Sequence, residues 1–98
     1  MNNEERIVRL SDALAMAADA RHMATSPVWD EAWEAVQRTF LQRLKACGPT
    51  EDVERYRLQV ALEVADLVRV FIENKGNSVE SLQKDLALLE GRKQYAVA

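Results

Sequence analysis

One cysteine, one histidine, two prolines, three glycines and six aromatic residues are all that 98 residues of this chain contain. Each scarcity excludes something. A single cysteine, Cys47, forbids any internal disulfide and makes a reducing, cytoplasmic compartment the simplest expectation. Its place near the end of a helical segment suits a small buried hydrophobe, since unpaired cysteine is among the most buried residue types. The lone His22 has neither a second histidine nor a nearby cysteine, so a zinc site is not expected. Cys47 likewise lacks a neighbouring base that would make it a nucleophile. So few glycines and prolines, nearly all at segment ends, leave little loop, and no valine, threonine and aromatic alternation reads as a strand. There is no repeat at a fixed period.

Charge of one sign is missing too. The net charge is −3, and no part of the chain is basic. By segment it is −1 for residues 1–25, 0 for 26–48, −2 for 49–76 and 0 for 77–98. Proteins that neutralise phosphates usually carry a basic footprint, so nucleic acid is not the expected partner. The start, Met1-Asn2-Asn3-Glu4-Glu5, has neither the positive charge nor the apolar run of a signal peptide. The longest apolar stretch is too short and too charged to span a bilayer, and no membrane partner is expected.

That stretch, Leu58 to Ile72, is the most telling part of what is present. Its polar residues, Gln59, Glu63, Asp66 and Arg69, share one narrow helical stripe with Glu73 a turn further on. The rest of the circumference is apolar, whereas an ordinary surface helix confines its apolar residues to a little over a third of a turn. Such a helix calls for cover on most sides, from the other helices, a second copy or a partner. Hydrophobic residues at 48% and charged residues at 30% fit an ordered globular domain of this length.

Punctuation divides the chain into a single domain, residues 1–98, with helices at about 3–23, 27–46, 51–75 and 78–90 and a tail at 91–98. The first carries Ile7, Leu10, Leu14, Ala17 and Ala18 on one face, with small residues from Ala13 to Ala24 that permit close approach. Ser26 and Pro27 cap and open the second, which aligns Trp29, Trp33, Val36, Phe40, Leu44 and Cys47. Gly48-Pro49 closes it, with Gly48 expected in a left-handed cap and Thr50 capping the third. Asn77 and Glu80 have the spacing of a capping box for the fourth, which carries Val79, Leu82, Leu86 and Leu89. These segments predict an all-α fold, an antiparallel hairpin of the second and third helices with flanking helices, as a three- or four-helix bundle.

No constellation carries chemistry. Glu63, Asp66 and Glu73 lack the Glu-x-x-His pair that dinuclear centres recruit, and Asp66–Arg69 and Arg69–Glu73 are spaced to neutralise one another. Arg6, Arg9, Arg55 and Arg57 are interleaved with acids and read as solvated surface. No catalytic residue, metal ligand or cofactor is therefore expected. The candidate interface residues are Trp29 and Trp33, which hold both indoles, Leu62 and Val70 on the apolar helix, and Tyr95 beside Arg92-Lys93 in the tail. For the tryptophans, a place in the core of the hairpin is the stronger expectation.

Read together, Pro27-x-x-x-x-Ala32-Trp33, Phe40-Leu41, Pro49-x-x-Asp52-x-Glu54, Asp66-x-Val68-Arg69, Ile72-Glu73, Gly76, Leu82 and Leu89 resemble a group of small, largely uncharacterised helical proteins of tailed bacteriophages and prophages. The likeness runs from about Leu14 to Lys93 and rests on packing and capping residues. It implies a phage context, with the host cytoplasm as location, and no activity. The expectation is a non-enzymatic protein acting through protein contacts as an assembly factor or inhibitor of a host factor, homo-oligomeric with two-fold symmetry as the default. The alternative is a nucleic-acid-associated accessory protein such as a small packaging subunit or regulator.

Overall fold

The computed structural model describes the backbone of residues 2–97 and the side chains of residues 2–91. Its fold is all-α: α1 (Asn3–Ala24), α2 (Pro27–Ala46), α3 (Asp52–Asn77) and α4 (Val79–Val97), with no strand among the described residues. Only Ser78 interrupts α3 and α4, which together form one long helix with a bend.

Local chemistry sets most of these boundaries. Asn2 opens α1, its side-chain oxygen accepting from the Glu5 amide at 2.8 Å, while Glu4 and Glu5 complement the helix dipole. Ser26 caps α2 with Pro27 in the first turn, where a missing amide proton costs nothing. At its other end Cys47 leaves the helix in extended backbone, and its thiol donates to the Arg43 carbonyl at 3.3 Å. No glycine among the described residues has positive φ, so Gly48 is not the left-handed cap that Gly48-Pro49 suggests. The turn is tied instead by Arg55, which donates to the Gly48 carbonyl at 2.9 Å and pairs with Asp52 at 2.8 Å. A guanidinium fork replaces the Thr50 cap; Glu51 stands at the cap position without a side-chain hydrogen bond.

The junction of α3 and α4 differs from its sequence reading for a similar reason. Asn77 belongs to α3, and the interruption falls one residue later. There the Ser78 hydroxyl and amide both donate to the Lys75 carbonyl, at 2.6 and 3.2 Å, and the Leu82 amide donates to the Ser78 carbonyl at 3.0 Å. With the backbone bonds nearly continuous, no capping box is required, and Glu80 is free to pair with Arg21 of α1. Helix α4 also runs past Gly91, so residues taken as a tail are helical to Val97.

α1 packs across this bend, touching both α3 and α4. Contact is closest at Gly76, which is buried; a methyl group there would stand 2.9 Å from the Arg21 Cα and 3.0 Å from its amide nitrogen. The alanine-rich face of α1 makes that approach possible, with Ala17 fully buried, although Ala18 turns outward. Leu58, Val79 and Leu89 are the other buried apolar side chains among the described residues. The radius of gyration is 20.8 Å, against about 13 Å for a compact chain of this length.

Candidate interaction surface

Two surfaces meet the requirements of a contact site. The first lies between α2 and α3. Trp33, Val36, Gln37 and Leu41 face Leu62, Glu63, Ala65, Asp66 and Arg69 across an open groove of about 470 Å³. Nearer the start of α2, Trp29 and Trp33 meet edge to face, with centroids 5.4 Å apart and planes at 74°, beside Arg69 and Glu73. The inward stripe of α2 is therefore the one its spacing indicates, yet Trp29, Trp33, Val36, Phe40 and Leu44 are all only half-buried. The Trp33 indole nitrogen is shielded from solvent without a hydrogen-bond acceptor. A buried donor left so costs stability, so the groove is not fully satisfied by this chain.

Into the same groove turns the polar ladder of α3. Arg69 pairs with Asp66 at 2.6 Å and lies 3.5 Å from the Glu73 carboxylate, as the three- and four-residue spacings require. These side chains are half exposed, and one guanidinium serves both carboxylates, which leaves the triad with a charge of −1. His22 lies elsewhere, on an open surface shared with Met23 and Trp29. Among the described residues, no three histidine, cysteine, aspartate or glutamate side chains converge as metal ligands would. None of the described helices is long and apolar enough to cross a membrane.

The second surface is the reverse of the first. Val53, Tyr56, Val60, Val64, Leu67 and Phe71 of α3 are between 39% and 69% exposed, with Leu67 the highest. On a helical projection they form one stripe about 80° wide, on the far side of α3 from the α2 groove. None of them lines the groove with α2. Phe71 lies at the edge of α1 beside Ala13, with the Lys75 ammonium 5.5 Å from its ring centroid. Of the three sources of cover expected for α3, the other helices of this chain supply only part: its polar stripe faces α2, and its outer apolar stripe is left to a second copy or a partner.

Of the residues singled out from sequence, Trp29, Trp33 and Leu62 come together in the α2–α3 groove. Val70 is half-exposed on the flank of the outer stripe, and the side chain of Tyr95 lies outside the described residues. The six residues of the outer stripe were hidden in sequence by the further apolar residues of the same helix, Leu58, Ala61, Leu62, Ala65 and Ile72, from which only Arg57 and Lys75 separate them on that side. Their spacing of three, four, four, three and four was the available signal.

The whole surface bears on the same point. It measures 7566 Å², where a compact monomer of 11.1 kDa exposes about 5,700 Å². No protein-family model matches this chain, and comparisons with curated proteins and with solved structures likewise return no match.

Proposed function

We propose that this chain is a non-enzymatic helical protein of the phage and prophage type, acting through protein contacts as an assembly factor or an inhibitor of a host factor, and that it works as a homo-oligomer. One observation carries the reading: the long helix α3 turns an uncharged apolar stripe outward along most of its length. Monomeric proteins rarely expose contiguous apolar patches beyond a few hundred Å², and larger ones mark interaction sites. In this reading α2 and α3 form a hairpin flanked by α1 and α4, and the helical bundle closes only when the outer stripe is covered. Carboxylates tied to Arg69 and a histidine without a second ligand beside it favour a binding role over catalysis.

Light scattering on the eluted protein tests the first step, with a dimer or larger species expected at micromolar concentration. A monomer that binds no apolar dye would defeat it. Cross-linking in phage-producing cells, read by mass spectrometry, tests the second. Links from α2 or α3 to a particle or host protein are expected, and links to nucleic acid alone would favour the accessory-protein alternative.

A further inference from the structure

The outer stripe of α3 has an internal repeat. Val53, Tyr56 and Val60 recur eleven residues on as Val64, Leu67 and Phe71. Eleven residues occupy just over three whole turns of an α-helix, so the two triplets sit nearly in line along a straight rod. No charged residue falls within the run. Glu63 and Asp52 flank it on one side, and Arg57 and Lys75 on the other.

We infer that this stripe is the interface of a two-fold dimer in which α3 packs antiparallel against α3 of a second copy, the proposed self-association being the premise. Reversing one stripe over the other sets Val53 opposite Phe71, Tyr56 opposite Leu67, and Val60 opposite Val64. Each of the first two layers then joins a smaller side chain to a larger one, and the middle layer joins two valines. Facing positions that alternate in size fill the space between helices evenly, as close packing requires. A parallel pair would instead stack Phe71 on Phe71 and Val53 on Val53, overfilling one end and leaving the other loose. These pairs lie nearly symmetrically about position 62, so the stripe can meet a reversed copy of itself along its whole length.

The area agrees with this occupant. The chain exposes about 1,900 Å² more than a compact monomer of its mass. Two copies together carry about twice that excess, which lies within the roughly 2,000–5,000 Å² that obligate dimers bury in total.

The test uses the full chain. Wild-type protein is expected to dimerise, and Leu67→Lys or Val64→Lys to weaken the dimer at least about a hundredfold, because each buries an unpaired charge. Both side chains are exposed within the chain, so the variants remove no intrachain core contact. A second measurement covers the case in which the separated chains unfold. In a Cys47→Ala background, Val53→Cys and Phe71→Cys chains are mixed and treated with a short thiol cross-linker. Linked dimers are expected from the mixture and not from either variant alone. If wild-type protein is monomeric, both this inference and the proposed self-association fall. If it is a dimer that neither lysine disturbs, self-association stands and this interface is wrong. Cross-linking of Val53→Cys or Phe71→Cys to itself would overturn the antiparallel arrangement.

Discussion

Replacing Gly76 with alanine should destabilise the protein, whereas the same change at Gly91 should stabilise it. Both glycines lie in helices without positive φ, so alanine fits the backbone at either. Helix propensity alone favours alanine over glycine by roughly 0.5–1 kcal/mol. At Gly91 nothing lies within 4 Å of the added methyl group, so most of that gain should be realised. At Gly76 the methyl would stand 2.9 Å from the Arg21 Cα and 3.0 Å from its nitrogen. Those are backbone atoms of α1, which can yield only if the helix moves. Overpacking of this kind costs typically 1–3 kcal/mol, so the net effect should be a loss of about 1 kcal/mol. Moving α1 should also separate Arg21 from Glu80, making the Gly76→Ala protein insensitive to loss of that pair. Urea unfolding followed by far-ultraviolet circular dichroism, at one protein concentration throughout, measures both changes. A Gly76→Ala protein as stable as Gly91→Ala would show that α1 does not rest on Gly76.

The Arg21 guanidinium beside Glu80 holds its carboxyl below the ordinary glutamate range. A lowered folded-state pKa gives stability that is present above the unfolded value of about 4.3 and is lost as pH falls through the folded value. Wild-type protein should therefore exceed Glu80→Gln in melting temperature at neutral pH, with the gap closing below about pH 4; a gap constant with pH would refute the pairing. Asp66→Asn should cost less than about 1 kcal/mol, since the Asp66–Arg69 pair is partly solvated, and a loss of several kcal/mol in urea unfolding would mean that the groove is closed to water. In hydrogen exchange, amides from Val60 to Phe71 should be the slowest, and their protection should rise with protein concentration. Protection independent of concentration would mean that α3 is shielded within one chain.

Much of this architecture was legible because local rules act on few residues. Ser26-Pro27 starts a helix where a side-chain oxygen meets a free amide, and the stripe from Trp29 to Leu44 points inward as its spacing indicates. Where boundaries moved, a long-range partner intervened. Arg55 reaches back to Gly48, and Glu80 leaves its expected capping role for Arg21, 59 positions away. The close approach at Gly76 depends on which helix lies opposite, and a glycine near a helix end reads first as a terminator. The candidate site was half legible: Trp29, Trp33 and Leu62 gather in one groove, while the outer stripe did not separate from its apolar surroundings.

The orientation of α3 shows why periodicity stops short of an interface. Spacing tells which side chains share a face; which face meets which neighbour depends on what the neighbour offers. α2 brings two indoles and Gln37, and the Trp33 nitrogen still lacks an acceptor, so its groove tolerates Asp66, Arg69 and Glu73 at half exposure, where one guanidinium serves both carboxylates. The opposite face holds no charge from Val53 to Phe71, and none of its six apolar residues lines the groove with α2. Two indoles and a solvated ion ladder can share a wet groove, but Val60, Val64, Leu67 and Phe71 gain nothing from water. In the proposed dimer the drier seam therefore belongs on the outer face of α3 and not in the groove beside α2.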